Sequence, residues 1–222
     1  MDISGILRQL AISAPAILIA ITFHEVAHGF IAYKLGDPTA KSLGRLTLNP
    51  IAHIDPFGTI VMPVLLLIFT QGQFVFGYAK PVPINPYNFK NPRRDMAISA
   101  GGGPVTNILL AIVSLLLIKF VIFPLSHILP PSVVASILKP LNMMLVSSIA
   151  INAVLAAFNL IPVPPLDGGR ILVGFLPQRQ AIALSRIEPY GMIIVLLIIA
   201  SGASRYFISP IVNLFLSLLG MY

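Results

Sequence analysis

The 222-residue sequence contains no cysteine and no tryptophan, and only 9% of its residues are charged. Without a thiol there is no disulfide framework, no thiolate metal ligand and no cysteine nucleophile, and the redox compartment leaves no trace. No G-x-S-x-G stretch occurs, which disfavours nucleophile-elbow serine chemistry. Acidic residues number seven and histidines four, few enough to weigh one at a time. What is abundant is apolar. Hydrophobic residues make up 57% of the chain and fall in long runs, the composition of an all-α polytopic membrane protein and not of a soluble domain. In that setting the net charge of +7 reports loop topology, because Lys and Arg accumulate in cytoplasmic loops, and nucleic acid is not an expected partner.

Inside the first apolar stretch, Ile6 to Leu35, stands His24-Glu25-Val26-Ala27-His28. On a helix His24 and His28 lie one turn apart on one face, so two imidazoles can share a metal ion with Glu25 beside it, the H-E-x-x-H pattern. A central charge in a membrane helix costs about 2.5 to 3.5 kcal/mol on insertion scales, so three titratable residues within five positions need a reason. The bland alternative is a histidine pair satisfied by neighbouring helices with a chance glutamate between them.

A catalytic zinc site needs a third protein ligand and an open position. The remaining histidines are His53 and His127, and the carboxylates besides Glu25 are Asp2, Asp37, Asp55, Asp95, Asp167 and Glu188. Asp167 stands out, because it follows the apolar stretch Leu141 to Leu160 in Asn159-Leu160-Ile161-Pro162-Val163-Pro164-Pro165-Leu166-Asp167-Gly168-Gly169. Three prolines end or distort the helix, the glycines permit close backbone approach, and broken backbone at membrane depth is tolerated where it lines a cavity.

These elements resemble the site-2 proteases, zinc metalloproteases that cut peptide bonds within or beside the membrane. The family pairs H-E-x-x-H on one transmembrane helix with N-x-x-P-x-P-x-L-D-G on another, matched here by HEVAH and NLIPVPPLDGG. A third element, G-P-x-x-N, is matched by Gly103-Pro104-Val105-Thr106-Asn107. The resemblance implies one Zn2+ per chain, held by His24, His28 and Asp167, with Glu25 catalytic and with Asn107 and Asn159 lining the site. Asn107 can equally serve as interhelical glue. His53 is either a substrate contact or, as a lone loop histidine more often is, structural.

The expected organisation is a single membrane-embedded domain over 1–222 with about five to six transmembrane helices and no PDZ or CBS appendage. Phe57 to Thr70 is apolar but only about 21 Å long as a helix, short of the roughly 30 Å hydrocarbon core. Gln73 to Asn85 then alternates in β-branched and aromatic residues until prolines interrupt it, which reads either as a plain loop or as a short β-like piece of a re-entrant segment spanning 57–85. The family resemblance implies that such a segment holds substrate extended. Re-entry puts both motif loops on one side of the membrane together with ten of the fourteen basic residues, and the positive-inside rule makes that side the cytoplasm. Residues 124–140 read as an outer loop, Pro189 to Tyr222 as two short spans or a membrane-surface segment, and Arg170 as facing a lipid phosphate or a carboxylate.

The function expected is intramembrane proteolysis of a transmembrane protein substrate within the lipid bilayer of a prokaryotic cell membrane. A metal or proton transporter using the same His, Glu and Asp cluster, or a catalytically silent homologue that binds membrane partners, are the alternatives. A di-iron oxidase is excluded, since it needs more histidines than four.

Overall fold

The computed structural model describes residues 3–62, Leu65 and residues 77–218. The first helix, α1 (Ile3–Lys34), ends where Gly36 adopts φ 111°. The Gly36 N–H donates to Tyr33 O at 3.2 Å and the Asp37 N–H to Ala32 O at 2.9 Å, the paired bonds of a glycine-terminated helix. Helix α2 (Pro92–Leu117) opens on a proline, whose missing N–H costs nothing in a first turn, and runs through a π turn at Ile118–Ile122 into a short helix at Phe123–Ile128. Residues 124–140 are therefore helical on both sides of Pro130 and not an outer loop. Pro130 stops one helix and Pro131 starts the next, which passes through a second π turn into α3 (Lys139–Asn159). After the proline-rich turn come α4 (Asp167–Phe175), α5 (Gln178–Ser185), α6 (Glu188–Ala200) and α7 (Ser204–Leu218).

The architecture is all-helical, with no strand among the described residues. Among the described residues, three helices, Ala11–Lys34, Pro92–Ile128 and Pro131–Asn159, are long and apolar enough to cross a bilayer, and α5 with α6 passes the same test as a pair bent by 71°. Of the re-entrant segment, Pro56–Val61 is a π turn capped by the Asp55 side chain, which accepts from Phe57 N at 3.1 Å and Gly58 N at 2.7 Å. The alternating residues Phe74, Val75 and Phe76 lie outside the described residues. Gly77–Asn85 carries no helix.

Helix α2 lies against α1, α3 and α4, and α7 packs on α3, its Phe215 joining Ala111, Leu115, Ile149 and Ala153 in one buried cluster. Small residues set the spacing, with Ala20, Ala32, Ala111, Ala153 and Ala156 all fully buried. Polar groups pair across the packed faces, as where Ser114 Oγ donates to Ser148 Oγ at 3.0 Å. This bundle brings the middle of α1, the middle of α2 and the start of α4 to one point.

Candidate metal centre

Nε2 of His24 and Nε2 of His28 lie 3.0 Å apart, and each is 3.2 Å from Oδ2 of Asp167. All three side chains are buried. The other ring nitrogens fix the tautomers. Nδ1 of His24 sits 2.5 Å from Oδ1 of Asn107, and Nδ1 of His28 sits 2.8 Å from the Ser99 carbonyl. The Asn107 amide is itself oriented, because its Nδ2 donates to Asn152 Oδ1 at 2.8 Å, and Asn152 Nδ2 donates to Ser148 O at 2.9 Å. Both rings therefore donate from Nδ1, and in the neutral imidazole this leaves Nε2 as the lone pair that can serve as a metal ligand. Asp167 Oδ2 is likewise a buried oxygen without a hydrogen-bond donor. Two imidazole lone pairs and one carboxylate oxygen converging without a proton to share form a set that a divalent cation fits, and the donor types are those of zinc.

Close packing around the cluster is made by glycines that the motifs carry. A Cβ on Gly103 would lie 2.5 Å from both His24 Cε1 and His28 Nε2, so the second residue type at this position decides whether the rings fit. On the other side, a Cβ on Gly168 or Gly169 would strike the backbone of Leu160 or of Pro164, which is how the turn after α3 folds back to present Asp167 at the start of α4.

Glu25 is half-buried and lines a cavity of about 200 Å³ together with His24, Asn159, Phe158 and residues 77–79. Asn159 donates from Nδ2 to Leu155 O at 3.0 Å and so reaches the cavity from the end of α3. Asn107 is fully buried behind His24, its amide engaged with the ring and with Asn152. His53 is away from the cluster, 2% exposed, with Nε2 on Thr47 O at 2.8 Å and its own carbonyl accepting from Lys80 N. Arg170 meets a carboxylate, Glu188, at 3.4 Å across half-exposed surface, a pair of the kind that contributes at most about 1 kcal/mol. Residues that sequence reasoning passed over are Ser99, whose carbonyl and hydroxyl both bond the His28 residue, and Val82, whose N–H donates to Glu25 Oε2 at 2.8 Å. No sequence signal marks Ser99. For Val82 the flanking prolines were visible but read only as breaks.

The family model for peptidase family M50 matches residues 125–202. A Bacillus subtilis protein bearing the name zinc metalloprotease YwhC is 39% identical over 197 residues, which cover 89% of this chain and 84% of that protein. Proteins named zinc metalloprotease Rip2 from Mycolicibacterium smegmatis and Mycobacterium tuberculosis are 28% and 26% identical, over 86% and 88% of this chain and 67% and 66% of their own lengths. No solved structure matches the chain significantly. Shared sequence across nearly all of one relative, joined to helices apolar enough for a bilayer and a buried donor set suited to zinc, makes this chain a member of peptidase family M50, a membrane zinc metalloprotease of the site-2 type.

Proposed function

We propose that the protein hydrolyses peptide bonds in or near transmembrane segments of membrane protein substrates, with His24, His28 and Asp167 as the zinc ligands and Glu25 as general base. The observation that carries the reading is the meeting of two histidine Nε2 atoms and one carboxylate oxygen at about 3 Å beside a cavity that Glu25 lines. Zinc held there supplies a Lewis acid that polarises a carbonyl and lowers the pKa of a water toward neutrality.

Glu25 accepts the proton of the attacking water and later delivers it to the departing amine nitrogen. Asn107 and Ser99 hold the histidine rings in the tautomer that leaves Nε2 free. Asn159 spends one N–H on Leu155 and keeps a second for the oxyanion of the tetrahedral intermediate, a contribution of about 2.7 to 4 kcal/mol for a well-placed donor. His53 serves the scaffold through Thr47 and Lys80.

A transmembrane helix hides its scissile carbonyl in an intrahelical bond, so the substrate must unwind locally. The backbone of residues 77–80 is suited to receive it. Tyr78 and Lys80 donate their N–H groups to Gly58 O and His53 O, each at 3.0 Å, which pins the segment beside the cavity that Gly77, Tyr78 and Ala79 line.

The chain acts as one multi-pass domain of about five to six spans, among them the three long helices, α5 with α6, and α7, while the 57–85 segment re-enters, so that the motif loops share the cytoplasm of a prokaryotic cell. The deciding test is cleavage of single-pass substrate peptides by purified protein in detergent. Wild type should cut and stop on chelation, whereas Glu25→Gln should retain stoichiometric zinc and cut nothing. Flux of metal or protons through wild type without any cleavage would identify a transporter instead.

A further inference from the structure

Helix α1 has two working faces. His24 and His28 turn toward Gly103 of α2, while Glu25 and Gly29, one turn apart on another face, meet the non-helical residues around Val82. The Val82 N–H donates to Oε2 of Glu25 at 2.8 Å, and Val82 is buried. It stands between Pro81 and Pro83, so it is the sole backbone donor in three consecutive residues. Gly29 makes the approach possible: a Cβ there would lie 2.7 Å from Val82 Cγ1, 2.7 Å from Leu46 Cδ2 and 3.1 Å from Ala40 Cβ.

The segment is tied down on both sides of Val82 by groups that lie outside the cavity. Before it, the Lys80 N–H donates to His53 O at 3.0 Å and the Lys80 carbonyl accepts from Arg45 at 2.9 Å. After it, Asp37 at the end of α1 accepts from Asn85 N at 2.7 Å and from Asn88 Nδ2 at 2.6 Å. A glutamate side chain has three rotatable bonds, and a general base must sit within hydrogen-bond reach of the proton it takes, so something has to choose its rotamer. The anchored donor does this.

We infer that the Val82 backbone N–H is the positioning group for Glu25, gripping Oε2 so that Oε1 is left to face the cavity. The inference rests on Glu25 being the general base. It assigns to Pro81-Val82-Pro83 a role in rate, separate from any part residues 77–80 have in holding substrate. Val82 acts through Glu25 and touches no reacting atom.

The test uses the full chain and a single-pass peptide that wild type cleaves and Glu25→Gln does not. Val82→Pro deletes the N–H, and Val82→Ala keeps it while trimming the side chain. A hydrogen bond to a charged group corresponds to roughly 10- to 100-fold in rate, so Val82→Pro should lower kcat by that factor with KM and zinc content held, and Val82→Ala should lose about three-fold at most. Equal kcat for the two variants, or a loss confined to KM or to zinc content, overturns the inference. If Val82→Pro yields no folded, zinc-loaded protein, Gly29→Ala replaces it. That variant pushes the segment off Glu25 and should lower kcat, and adding Val82→Ala should restore most of the loss by removing Cγ1. Wild-type kcat in Gly29→Ala, or no recovery in the double variant, counts against the inference. A Glu25→Gln protein that still cleaves would sink the general-base reading itself, an outcome separate from any result with Val82.

Discussion

The Nδ1–H of His24 points at Oδ1 of Asn107, a residue 83 positions away on another helix, across 2.5 Å inside a fully buried contact. The bond fixes both the ring's rotation and its tautomer, and Asn107 is held in turn by Asn152 of α3. A polar chain through three helices therefore ends on a ring of the candidate metal cluster.

Asn107→Ala removes that support while leaving the three candidate ligands in place. Partners of this kind are worth about 10- to 100-fold in metal affinity, so zinc should be lost to a competing chelator at correspondingly lower chelator concentration. The measurement is residual zinc per protein after equilibration over a chelator series. An unchanged titration would show that the ring needs no such guide.

Gly103→Val places a branched side chain where a single Cβ already falls 2.5 Å from both rings. Zinc content should drop below stoichiometric and cleavage should vanish. Gly101→Ala, two residues away with nothing within 4 Å of the added Cβ, should retain both. The pair separates a steric requirement at the cluster from a general need for small residues in α2.

Asp37 links the end of α1 to Asn85 and Asn88 and is fully buried. Burial pushes its carboxyl upward, but hydrogen bonds from Thr39, Asn88 and Asn85 outweigh that and hold it below the usual carboxylate range. A carboxyl lowered on folding stabilises the protein above its unfolded value of about 3.9, and that stabilisation fades as pH falls through the folded value. Asp37→Ala should cost about 1 to 3 kcal/mol near neutrality, and the gap in thermal stability from wild type should narrow below about pH 4. A gap that stays constant with pH would remove the carboxylate from the explanation.

Single cysteines introduced by Lys41→Cys and Arg179→Cys give a topology test, since the natural chain has none. If the motif loops share the cytoplasmic side, an impermeant thiol reagent should reach both from that side of sealed vesicles and neither from the other. Labelling from opposite sides would mean that the 57–85 segment crosses the membrane.

Much of the candidate site was legible in the sequence. H-E-x-x-H puts two imidazoles on one face because a helix repeats every 3.6 residues, a local property that three intervening residues suffice to specify. Asp167 could be nominated because prolines and glycines announce a broken helix. The span count was less legible: α6 has 13 residues and α7 has 15, so both are shorter than a bilayer demands of a straight helix, and length alone leaves them undecided. The helical character of residues 124–140 was missed because Pro130-Pro131 was read as a loop, whereas proline ends one helix and begins another equally well.

By itself the sequence determined the membrane class, the histidine face of α1, the positions of the breaks and the absence of thiol chemistry, all consequences of composition and of periodicity over a few residues. Only the tertiary structure decided which ring nitrogen is free, that Asn107 backs His24 and does not open on the cavity, and that Val82 grips Glu25. Those contacts join residues 83 and 57 positions apart, and their geometry is set by how closely glycine and alanine faces let the helices and the segment around Val82 approach. A helical or alternating pattern carries information about its own neighbours along the chain, and none about the distant backbone donor that packing will bring to a carboxylate.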